Sequence, residues 1–96
     1  MDLLFHVSTA AGGRLLYPLV LAARRAGCGI GAFFTHEGVL GLRDTDLAAV
    51  LVQAERAVVC EESWQHFCPG LPCPVEAGSQ TTNSALMGEA RKVVSL

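Results

Sequence analysis

Charge is scarce in this chain. Only 17% of its 96 residues are Asp, Glu, Lys or Arg, against 51% hydrophobic, where about 25% charged is ordinary for a globular domain. The net charge is −2, with no basic tract or stripe, which argues against a nucleic-acid partner. Long apolar runs are also missing. The longest, Leu19–Val20–Leu21–Ala22–Ala23, is far too short to span a bilayer, so no membrane partner is expected. Met1–Asp2–Leu3 lacks the basic start of a signal peptide, and a cytoplasmic setting is the default. There the four cysteines read as reduced thiols rather than a disulfide frame. So apolar a composition leaves surface to cover outside a small core, and a homo-oligomer is expected.

What is present alternates regularly. Leu3–Val7 reads as a strand apolar on both faces, as in a central parallel strand. Ser8–Thr9–Ala10–Ala11–Gly12–Gly13 reads as a turn. Leu15, Leu16, Leu19, Val20 and Ala23 recur at helical spacing. Pro18 is cheap only in a first helical turn, which predicts a helix start near Leu15–Pro18. Arg24 and Arg25 suit its last turn and Gly27 its stop. Ile30–Phe34 is a second strand, followed by the polar break His36–Glu37–Gly38 and a loop from Val39 to Arg43 of no assigned form. Asp44 or Thr45 can cap a helix with the face Leu47, Val50, Leu51 and Ala54.

Ala57–Cys60 is the third strand, and a short helix near Glu61–Phe67 follows. Cys68–Pro69–Gly70–Leu71–Pro72–Cys73–Pro74 must be irregular. Val75–Ala77 reads as a fourth strand, Ser84–Arg91 as a helix capped from Thr81, Thr82 or Asn83, and Val93–Leu96 as a final strand. This order predicts a single α/β domain over residues 1–96: a three-layer α/β/α sandwich with a mostly parallel five-stranded sheet and right-handed crossovers.

Chemistry in such a sheet collects outside the carboxyl ends of the strands. Cys60 stands at one of them, where it reads equally as a nucleophile or a core thiol. A helix start favours its thiolate, while Glu61 and Glu62 favour the neutral thiol, so the two offset in part. His36 and Glu37 end the second strand at the same edge. They read as a proton-handling pair or as a plain polar turn. Ser8, Thr9, Gly12 and Gly13 could bind an anion through backbone N–H groups or simply connect. Cys60, His66, Cys68 and Cys73 match no common zinc spacing, so no metal is expected. Cys68 and Cys73 read as loop thiols or as a regulatory disulfide. Trp64, Phe67 and Leu71 mean core or interface, and His6 a hydrogen-bonded core histidine.

Several of these stretches together resemble the DsrE/DsrF-like family, which includes the TusD-type sulfur-relay subunits. The likeness lies in the opening strand and Ala-rich helix ending at Gly27, the turn Ala32–Phe33–Phe34–Thr35–His36–Glu37–Gly38–Val39, the strand ending Val58–Val59–Cys60, and the closing Lys92–Leu96. It implies an α/β/α sandwich that oligomerises. It also implies a cysteine after the third strand that carries a persulfide, which places that role on Cys60. His36 and Ser8 would shape its pocket, with Thr9, Gly12, Glu37 and Glu61 around it. Partners would be sulfur donor and acceptor proteins, with no dissociable cofactor. The sulfur-carrying members have a basic Arg–Arg–Gly stretch after the next helix, where this chain reads Trp64–Gln65–His66–Phe67–Cys68–Pro69–Gly70. The other function open to the same fold is a non-catalytic anion- or nucleotide-binding or adaptor module.

Overall fold

The computed structural model describes residues 1–96. Five strands form one parallel sheet: β1 (Leu3–Val7), β2 (Ile30–Phe34), β3 (Arg56–Cys60), β4 (Glu76–Gly78) and β5 (Lys92–Ser95), in the spatial order β4-β3-β2-β1-β5. The register pairs Phe5 with Ala32 and Phe33 with Val58. Strand alternation then sends side chains to opposite faces. Phe5, Val7, Ile30, Ala32, Phe34 and Val59 point into the larger core. Leu4, Phe33, Val58 and Cys60 point into a smaller one.

Four helices and a 3₁₀ segment cover the sheet: α1 (Ala10–Arg25), the 3₁₀ helix His36–Arg43, α2 (Thr45–Leu51), α3 (Glu61–Phe67) and α4 (Gln80–Glu89). Right-handed crossovers put the connections from β1 through β4 on one face and bring the return from β4 to β5 over the other. The cores follow that division. Leu16 and Val20 of α1, Leu47 and Leu51 of α2 and Trp64 of α3 join the larger core, and Leu86 of α4 joins the smaller. The predicted α/β/α sandwich is therefore the fold, with a thin third layer made by α4 alone.

Two helix starts differ from the sequence reading. α1 begins at Ala10, not near Leu15, because the Thr9 hydroxyl caps it by accepting from Gly12 N at 2.9 Å. Pro18 thus lies inside the helix. It removes one backbone donor on an exposed face, and the Arg14 carbonyl it orphans belongs to an exposed residue that water can reach. Gly12 and Gly13, taken as part of a turn, are helical and buried. A Cβ on Gly12 would come within 2.5 Å of the Leu96 backbone, so only glycine lets the helix sit this close. α4 begins at Gln80 and ends at Glu89, not Ser84–Arg91. A reciprocal capping box between Ser79 and Thr82 sets that start. The loop at Val39–Arg43 is the body of the 3₁₀ helix, held by the buried Val39 and Leu42. β4 falls one residue later than expected, at Glu76–Gly78. No helix is long and apolar enough to cross a membrane.

Candidate functional site

Cys60 is the last residue of β3 and the residue before α3. β3 is buried at Val58 and Val59, so the strand delivers Cys60 to the sheet's carboxyl edge at 7% exposure. It forms part of the wall of a cavity of about 370 Å³ with Glu61, Glu62, Gly78, Ser79, Gln80 and Thr81. The strand end of β3, the start of α3 and the start of α4 thus meet around one thiol.

The neighbouring strand end brings hydroxyls. Thr35, 2% exposed, follows β2 and is anchored by its N–H to Val7 O at 2.9 Å. The chain then passes so close to the end of β1 that only glycine fits at position 38, where a Cβ would lie 2.2 Å from Val7 O. His36 stands in the left-handed region, with φ at +50°, a conformation that strains a non-glycine residue and clusters at functional sites. Its backbone N–H donates to Ser63 Oγ at 2.9 Å. Ser63, in the first turn of α3, lies 3.4 Å from the Thr35 hydroxyl. The Gln80 amide reaches Thr35 Oγ1 from α4 at 3.3 Å.

These groups act on the Cys60 thiol. Burial raises its pKa, as it does for any group that ionises to an anion. The Ser63 hydroxyl, the Ser63 N–H, the Thr35 hydroxyl and the Glu62 N–H oppose burial and outweigh it, so the thiol is more acidic than usual. The Cys60 side chain makes no capping hydrogen bond to the start of α3. The sequence reading set a helix start against Glu61 and Glu62. Both carboxylates are exposed, where water screens them, and the adjacent donors prevail.

The other expected site residues are dispersed. Glu61 is in the cavity wall with Cys60. Glu37 is exposed on the 3₁₀ helix. Ser8, Thr9 and Gly12 lie at the end of β1, one strand beyond β2, and do not line this cavity. Ser8 N–H donates to Leu96 O at 2.9 Å, and Gly13 N–H to Thr9 O at 3.0 Å. With Gly12 N–H on the Thr9 hydroxyl, these three donors are engaged within the chain. His6 stacks on Phe33 with ring centroids 6.0 Å apart. Burial, then the charge of His36, lower its pKa, against its own backbone hydrogen bond.

Sequence reasoning missed Thr35, Ser63 and Gln80 beside the site. The only local signals were a hydroxyl three residues after Cys60 and the Ser79–x–x–Thr82 pattern, which starts a helix at the sheet edge.

A second cavity, about 380 Å³, is lined by Val59, Trp64, Cys68, Leu71, Cys73 and Ala77 among others. Trp64 Nε1 donates to Leu71 O at 3.1 Å and holds the proline-rich loop over it. Cys68 and Cys73 are both free thiols. Burial raises the Cys68 pKa, Arg43 lowers it and Cys73 raises it; the net change is upward, which suits a resting thiol rather than a nucleophile. No three His, Cys, Asp or Glu side chains converge as a metal site. No protein-family model, curated protein or solved structure matches the chain.

Proposed function

We propose that this chain is a DsrE/DsrF-like sulfur-relay domain that carries sulfane sulfur as a persulfide on Cys60. The observation that supports it is the thiol itself: a cysteine at a strand end, opening on a cavity, with its pKa lowered by hydroxyl and N–H donors from β3–α3 and from the end of β2. The step is a thiol exchange without net redox change. The Cys60 thiolate attacks the outer sulfur of a donor persulfide R–S–SH. The donor S–S bond breaks, R–S⁻ leaves, and Cys60–S–SH forms. A partner thiolate then attacks that outer sulfur, Cys60 leaves as thiolate, and the partner holds the persulfide. The same donors serve Cys60 as nucleophile and as leaving group. No dissociable cofactor takes part.

The setting is cytoplasmic, where the thiols stay reduced, and donor and acceptor are proteins bearing thiols. The His36 ring does not line the Cys60 cavity, and its link to the site is its backbone N–H on Ser63 Oγ. The working form is a homo-oligomer, which would cover outward apolar residues such as Leu15, 55% exposed, and Leu19, 38% exposed, on α1.

Cyanide provides a direct assay, because it strips sulfane sulfur from a persulfide as thiocyanate. Protein incubated with a persulfide donor and desalted should yield close to one thiocyanate per chain, and Cys60→Ser should yield none. An equal yield from the mutant would place the sulfur on another cysteine. No yield from the wild type would remove the carrier role and leave a binding or adaptor module.

A further inference from the structure

We propose that the Cys60 cavity selects for positive charge: the partner group that presents sulfur to Cys60 carries a cation beside that sulfur, and anionic donors are turned away at the mouth. The proposal takes the carrier reading above for its sulfur, while its charge preference rests on the cavity alone.

Around Cys60 the cavity wall offers the Glu61 and Glu62 carboxylates, the Ser79 and Thr81 hydroxyls and the Gln80 amide. None of the chain's seven Lys and Arg residues and none of its three histidines lines it. β4, α3 and α4, which frame the space with the end of β3, contain no Lys or Arg. Arg56, the one cation on β3, opens that strand at the end opposite Cys60 and pairs with Glu76 at 2.8 Å.

Two helix starts oppose the carboxylates. Each supplies roughly half a positive charge at most. That of α3 is met by Glu61 and Glu62 in its own first turn, and in α4 the Ser79 hydroxyl takes up the Thr82 N–H. Two full negative charges thus face at most about one positive charge, and the mouth stays negative. The thiolate that must attack adds another negative charge. Water weakens the action of exposed carboxylates on a thiol buried behind them. A ligand seated in the cavity lies against both, inside the roughly 8 Å over which physiological salt leaves charges visible to one another. A neutral ligand would strip water from two carboxylates and return nothing, whereas a cation gives them a partner. The hydroxyls and the amide can bond a peptide backbone, so the geometry suits a cysteine persulfide flanked by Lys or Arg.

The test compares reagents of opposite charge at one thiol. Cationic aminoethyl methanethiosulfonate and anionic sulfonatoethyl methanethiosulfonate react by the same step: the thiolate attacks the divalent sulfur, the S–S bond breaks, and methanesulfinate leaves. Both need the thiolate, so the ratio of their rates cancels its abundance and is independent of the pKa of Cys60. Neutral iodoacetamide, run across pH, gives the alkylation profile of the thiol by itself. Rates at Cys60 are read by peptide mass, and the ratio is set against that of 2-mercaptoethanol. At low salt the cation-to-anion ratio at Cys60 should exceed this reference about tenfold, the effect of two exposed ion-pair contacts. In about 1 M salt, where screening acts within about 3 Å, it should fall towards the reference. Glu62→Gln should reduce the excess about threefold at low salt, and Glu61→Gln with Glu62→Gln should abolish it. Both side chains are exposed, so the variants should fold, as the melting transition would report. A wild-type ratio at the reference, a ratio unchanged in the folded double variant, or no reaction of Cys60 with either reagent would overturn the proposal. Persulfidated Lys–Cys–Lys and Glu–Cys–Glu peptides then test the sulfur itself. The first should load Cys60 several times faster, and equal loading would also overturn the proposal. A charge-selective thiol that loads from neither peptide would keep the cavity's preference and remove only the carrier role.

Discussion

His36 contributes to the site through its backbone as much as through its ring. Its N–H donates to Ser63 Oγ, and its φ of +50° turns the chain that follows. Glycine adopts that conformation without strain. His36→Gly should therefore fold with stability unchanged or raised by up to about 1 kcal/mol in urea denaturation, and it should keep the alkylation profile of Cys60. A profile displaced upward in His36→Gly would assign the effect to the imidazole instead.

His6 titrates in a way the fold should feel. Burial holds its pKa below the ordinary 6.5, so as pH falls the unfolded chain takes up this proton before the folded one does. The folded state thus has its full advantage above about 6.5 and loses it as pH drops through the lower folded value. Stability measured across that window should decline with acid, and His6→Gln should flatten the decline. An equal slope in both proteins would exclude His6 as its source.

Among the elements, α4 has a face of the sheet to itself. It alone covers the second face of the sheet, and its Leu86 is fully buried against Leu4, Phe33 and Val58. Leu86→Ala should cost about 2–4 kcal/mol, seen as a lower urea midpoint. Because Gln80 and Thr81 of α4 line the cavity beside Cys60, the same variant should change the alkylation rate of Cys60 at neutral pH. A destabilised protein with an unchanged Cys60 rate would separate the helix from the thiol.

β1, β2 and α3 were legible residue by residue, because each is a short apolar or amphipathic run with strong flanking signals. The starts of α1 and α4 were not. Pro18 points to a late helix start, yet a capping hydroxyl at Thr9 outweighs one missing donor on an exposed face. For α4, Thr81, Thr82 and Asn83 are all plausible caps, and the cap is Ser79 just upstream. The site divides in the same way. Cys60 could be singled out because a strand end is a local property. Its helpers could not, because Thr35 and Ser63 stand 28 residues apart and Gln80 and Thr35 stand 45 apart. Those pairings exist only once the parallel order places β2 beside β3 and α4 across the sheet.

For the molecule as a whole, the strand order reverses direction between β1 and β5, the usual place for a ligand in an open α/β sheet. Here the Leu96 backbone lies against Gly12 and accepts the Ser8 N–H, so that crevice is occupied from within. The open cavity lies instead at the β3–β4 end, beside Cys60. The outward leucines of α1 bear on assembly. The wild type should sediment as an oligomer, and Leu15→Glu with Leu19→Glu should sediment as a monomer. A wild type that remains monomeric at every concentration would contradict self-association.

Intact-protein mass spectrometry after exposure to a persulfide donor would show whether Cys60 holds the sulfur. One reducible adduct of roughly 32 Da, the mass of one sulfur atom, is expected on the wild type and none on Cys60→Ser. An unmodified wild type, with Cys60 also inert to alkylation while folded, would contradict it and make Cys60 a core thiol.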